Sequence, residues 1–122
     1  MISWTAILYG AALSALFGGL LVAAADRGAR LPAGAGAAVG AFAGPIAWNA
    51  ILRATHAATF FTDAPIAVMP ASWQDTGSGV FTIAVTAIVL GFGAHATAPA
   101  RRVVALSMLA GLAAFLVDVY LY

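Results

Sequence analysis

Apolar residues in this chain gather into long runs instead of alternating with polar ones. Four runs stand out: Ile2 to Ala25, Ala33 to Leu52, Val80 to Ala96, and Val103 to Tyr120. The first is broken only by Ser3, Thr5, Tyr9 and Ser14, and the second by Pro45 and Asn49. At roughly 1.5 Å per helical residue, even the shortest nearly crosses a hydrocarbon core of about 30 Å. Closed β-barrels also satisfy their backbone groups in lipid, but their strands alternate strictly and these runs do not. The pattern predicts an all-α integral membrane protein: a bundle of four transmembrane helices in one domain covering residues 1–122, with spans at about 2–25, 33–52, 80–96 and 103–120.

Composition strengthens that reading. Of 122 residues, 64% are hydrophobic and 7% charged, whereas a soluble domain has about a quarter of its residues charged. The first run, ending in Ala23-Ala24-Ala25, resembles a signal peptide. No basic residue precedes it, however, and it is longer than a signal core, so it is read as a true first helix. Cysteine is absent, which removes disulfides, thiolate metal sites and cysteine nucleophiles. Lysine is absent too, excluding Schiff-base cofactors. The net charge of +1 offers no basic face for nucleic acid.

Arginine placement predicts orientation. Arg27 and Arg30 lie in the first connection, and Arg101 and Arg102 in the third. The positive-inside rule puts both of these connections in the cytoplasm of a bacterial-type inner membrane. Both termini and the second connection then face outward, with Trp4, Tyr120 and Tyr122 at the outer interface. That second connection, about 53–78, holds Phe60, Phe61, Ile66, Val68, Met69 and Trp73, too apolar for a freely solvated loop. Pro65 and Pro70 prevent one continuous helix across it. It is expected to lie on the outer interface or to dock on a neighbour, with Phe60, Phe61 and Trp73 as candidate partner contacts. Asp75, Thr76, Gly77 and Ser78 are expected to cap the third helix.

Gly36, Gly40 and Gly44 form a double GxxxG stripe that lets another helix approach closely, either within the bundle or from a second subunit. Asn49, Arg53 and His56 share a face roughly opposite the stripe, and Ser107, Gly111, Ala114 and Asp118 share one on the last helix. Arg53 and Asp118 fall at similar depth and are expected to form a structural ion pair, since either alone is expensive there. His56 and His95 fall at opposite ends of their spans, so one chain cannot hold a bis-histidine haem. His56, Asp63 and Asp75 make a weak metal candidate whose spacing matches no strong motif. No nucleophile elbow or phosphate loop occurs, and no cofactor is expected.

Two function classes follow. The first is a non-catalytic accessory subunit whose partners are membrane lipid and larger integral membrane subunits, such as those of a monooxygenase, an oxidase or a transporter. The alternative is a small homo-oligomeric transporter or channel. Small multidrug transporters match the size and helix number, but they use a membrane-embedded glutamate and this chain has none. An enzyme acting alone ranks third, for want of converging polar groups.

Overall fold

In the computed structural model, which describes residues 1–121, Ser3 starts the first helix. Its hydroxyl accepts from the Ala6 amide at 3.2 Å, and α1 runs over Trp4–Ala25. Asp26 ends it, its own amide donating back to Val22 at 2.9 Å. The four-residue 26–29 turn leads to α2, Arg30–Ala54. Pro32 sits in the first turn, where no intrahelical N–H is needed. Pro45 lies mid-helix and is buried, and α2 continues through it. Four residues on, the Asn49 side-chain Nδ2 donates to the Pro45 carbonyl at 2.9 Å.

The end of α2 is a Schellman motif. The His56 amide donates to Arg53 at 3.2 Å and the Ala57 amide to Leu52 at 2.9 Å. His56 takes the left-handed position with φ 55°, where glycine is the usual occupant. A short 3-10 turn, Ala58–Phe61, follows.

α3 spans Trp73–Phe92 and so begins almost two turns before the expected Val80. Ser72, not the 75–78 segment, is its N-cap, in a capping box. The Ser72 hydroxyl accepts from the Asp75 amide at 3.2 Å, and the Asp75 carboxylate accepts from the Ser72 amide at 2.7 Å. The first turns carry Gln74, Asp75, Thr76 and Ser78, so an apolar run cannot reveal them. α4 spans Ala100–Leu121, directly after Pro99.

All four helices are long and apolar enough to cross a membrane. They are joined up-down-up-down: each packs on its sequence neighbours, α4 closes back on α1, and α2 meets α4 across the diagonal. One end of the bundle therefore gathers the two short turns and four arginines; the other gathers the 55–72 loop and both chain ends.

Small residues fill much of the interior, beside the buried Ile7, Val22, Leu52 and Leu90, and many large ones face outward. Ala11, Ala37, Ala41, Ala110 and Ala114 are fully buried, while Leu8, Leu16, Leu20, Val104, Met108 and Leu112 are exposed. In lipid no hydrophobic force draws large apolar groups inward, so helices associate through small residues that allow close packing. The glycine stripe does this against α3. Gly36 meets Leu90, Gly40 meets Thr86 and Gly44 meets Thr82, each four-residue step along α2 matching one in the opposite direction along α3. A β-carbon at Gly40 would lie 2.8 Å from the Thr86 backbone, and one at Gly44 would lie 2.5 Å from the Thr82 amide nitrogen.

Candidate functional site

Polar groups collect at the two ends of the bundle. At the arginine end, Asp26 follows α1, His95 sits in the turn after α3, and Arg102 lies in the first turn of α4. His95 Nε2 donates to Asp26 Oδ2 at 2.6 Å, and Arg102 donates to Asp26 Oδ1. Asp26 and His95 are buried; Arg102 is 40% exposed. The bond from His95, aided by the Arg102 charge, holds the Asp26 carboxyl below its ordinary value of 3.8, against the upward push of burial. One carboxylate thus fastens the α1–α2 hairpin to the α3–α4 hairpin. His95 Nδ1 is buried and has no hydrogen-bond partner among the described residues.

At the loop end, Gln74 is buried at the top of α3. Its amide donates to Ser78 Oγ and to Asp118 Oδ2, both at 3.2 Å, joining α3 to α4. Beside it a polar cavity of about 250 Å³ is lined by Asp63, Ser72, Gln74, Asp75 and Asp118, with Phe61 on its apolar side. Asp75 is held in the capping box, Asp63 is exposed, and His56 does not line this cavity. Among the described residues no three histidine or carboxylate groups are placed to hold a metal ion.

The described ion pairs both centre on Asp26. Arg53 is half-buried; its guanidinium donates to the Ile2 carbonyl and stacks 4.8 Å above the Trp4 ring, tying the N-terminus to the end of α2. Asp118 takes its described hydrogen bond from Gln74. The described contacts of these two residues are thus with Ile2 and Trp4 for Arg53 and with Gln74 for Asp118.

Of the aromatic candidates in the loop, Phe60 packs on Trp48 at 6.0 Å between ring centroids. Trp48 also packs on Phe81 at 5.2 Å and donates to the Gln74 carbonyl at 3.1 Å. Gly77 leaves room for that indole. Phe61 is half-buried against the cavity, whereas Trp73 is 68% exposed. The turn 64–71 is also left open. The Ala64 amide donates to Ala71 at 2.9 Å and closes it, and the Tyr120 hydroxyl donates to the Val68 carbonyl at 2.6 Å and anchors it to α4. Ile66, Val68 and Met69 project from the turn, Val68 with 81% of its surface open.

Fold and site together define a multi-pass, all-helical membrane bundle with a closed interior and one structured apolar loop. No family model, curated protein or solved structure matches the chain.

Proposed function

We propose that this chain is a non-catalytic accessory subunit of a larger integral membrane complex, and that the 64–73 segment is its docking surface. The observation that carries this reading is the hydrogen-bonded 64–71 turn, which leaves Ile66, Val68 and Met69 exposed, with Trp73 exposed beside it at the start of α3. Ordering such a turn costs backbone entropy, and its apolar side chains contribute little to the fold that bears them. Burial of each in a partner is worth about 1.5–3 kcal/mol. The interior supports the same reading: Ser14, Thr82 and Thr86 are fully buried and the α2 glycines press on α3, leaving a single copy filled.

Four arginines at one end favour a cytoplasmic placement of that end in a bacterial-type inner membrane, with the loop and both termini outward. A periplasm-active reporter fused after Tyr122 is then active, and one fused in the 26–29 turn is silent. The reverse pattern overturns the orientation.

Docking is tested by replacing Val68 and Trp73 with serine and purifying the assembly gently from its native membrane. The variant is expected to be lost from the complex while still folding in detergent. A variant that stays bound contradicts the assignment of this surface. The loop-end cavity with Asp63, Asp75 and Asp118 favours a second reading, a small homo-oligomeric transporter. A purified chain that moves a solute across liposomes selects it.

A further inference from the structure

Between α1 and α2 a shallow groove of about 460 Å³ lies open at the arginine end. Its floor is small, formed by Ala15, Gly19 and Ala23 on α1 and by Gly34 and Ala38 on α2. Arg30 closes its lower end, and Leu31, with 86% of its surface open, stands beside it. From Arg30 to Ala38 the rise is about 12 Å, close to one leaflet of a hydrocarbon core about 30 Å thick.

The charge at the mouth has no answer from the protein. Arg30 is exposed, it is the first residue of α2, and its side chain makes no ion pair or hydrogen bond among the described residues. The first turn of α2 contains no acidic residue and its N-cap offers no side-chain bond, so the arginine adds to the positive end of the helix dipole. A cation in that position calls for an anion from outside. A second copy of this chain would bring further arginines to the same level and repel. The leaflet supplies a phosphate at that depth together with a chain that fits a smooth apolar groove.

We infer that the α1–α2 groove binds one anionic phospholipid, with an acyl chain along the small-residue floor and the phosphate at Arg30. The inference is independent of the docking role of the loop, which lies at the other end of the bundle.

The test uses the full chain, stripped of lipid in detergent and titrated with phosphatidylglycerol or with phosphatidylcholine of identical acyl chains. Bound lipid is counted by native mass spectrometry, and folding is checked by circular dichroism. Wild type is expected to retain one phosphatidylglycerol about five-fold more tightly than phosphatidylcholine, the factor given by about 1 kcal/mol per arginine near a membrane surface. Arg30→Gln is expected to remove the preference, and Arg101→Gln, on an exposed residue outside the groove, to leave it intact. Ala35→Leu, which adds bulk at an exposed groove position, is expected to weaken both lipids. Equal retention of the two lipids by wild type overturns the proposal. So does equal loss of preference in Arg101→Gln, or full competition by inorganic phosphate. Unchanged binding in Ala35→Leu removes the acyl groove.

Discussion

Substituting alanine for individual glycines gives a graded test of how closely α2 and α3 pack. At Gly40 the added carbon would meet the Thr86 amide nitrogen and Cα at 2.8 Å. Carbon atoms rest at about 3.5–4.0 Å, so roughly 1 Å must be found by moving backbone, since no side-chain rotation relieves it. Overpacking of this kind costs about 1–3 kcal/mol. Alanine recovers about 0.5–1 kcal/mol in helix propensity, so Gly40→Ala is expected to destabilise by about 1–2 kcal/mol, and Gly44→Ala likewise. At Gly36 the nearest atom is the Leu90 Cδ2 at 2.5 Å, the tip of a flexible side chain, and the two effects nearly cancel. At Gly91 nothing lies within 4 Å, so alanine there stabilises by about 0.5 kcal/mol from propensity alone. Reversible unfolding in mixed detergent micelles, followed by circular dichroism, ranks the four variants. If Gly40→Ala falls within about 0.5 kcal/mol of Gly91→Ala, where propensity alone acts, the close α2–α3 contact is refuted.

The Asp26 cluster gives a pH prediction. Its folded-state pKa is lowered, so its contribution is complete above the ordinary value of 3.8 and is lost as pH falls through the lowered value. The thermal midpoint of wild type should therefore drop below about pH 4, and Asp26→Asn should flatten that slope while losing about 2–4 kcal/mol at neutral pH. The loss is less than that of a fully desolvated pair because water screens the half-exposed Arg102; an unchanged slope in Asp26→Asn counts against the cluster. At the end of α2, His56→Gly is expected to stabilise by about 0.5–1 kcal/mol by relieving the left-handed backbone. His56→Ala should bring no such gain, and equal effects of the two refute the Schellman assignment. Gln74→Leu removes the donor shared by Ser78 and Asp118 and is expected to cost about 1–3 kcal/mol; a neutral result in the same unfolding assay argues against the α3–α4 link.

The four spans were legible because lipid demands long apolar runs, and the runs are unmistakable from Ile2 to Ala25 and from Val103 to Tyr120. Where the structure departs from the sequence reading, the cause is polarity inside a helix. α3 starts at Trp73 because Ser72 and Asp75 form a capping box, yet hydropathy registers the helix only from Val80. The serine followed three residues later by an acid was the available signal. Depth alone pairs Arg53 with Asp118 and says nothing about rotation around each helix, so the contacts of Arg53 with Trp4 and of Asp118 with Gln74 are not legible in the sequence. The Asp26–His95–Arg102 cluster was missed because its members come from three elements far apart in sequence. A hint existed: Asp26 is the one acid at an end that carries Arg27, Arg30, Arg101 and Arg102. The size of Phe60 marks it as a partner contact, and nothing in the sequence shows that Trp48 packs on it.

The central claim is that this bundle works as a part of something larger. It is tested most directly by the mass of the assembly extracted with mild detergent from the native membrane through a small tag on this chain. The account predicts a stable complex containing at least one larger integral membrane protein, from which the chain with serine at Val68 and Trp73 is absent. A particle made only of copies of this chain, unaffected by those substitutions, contradicts it.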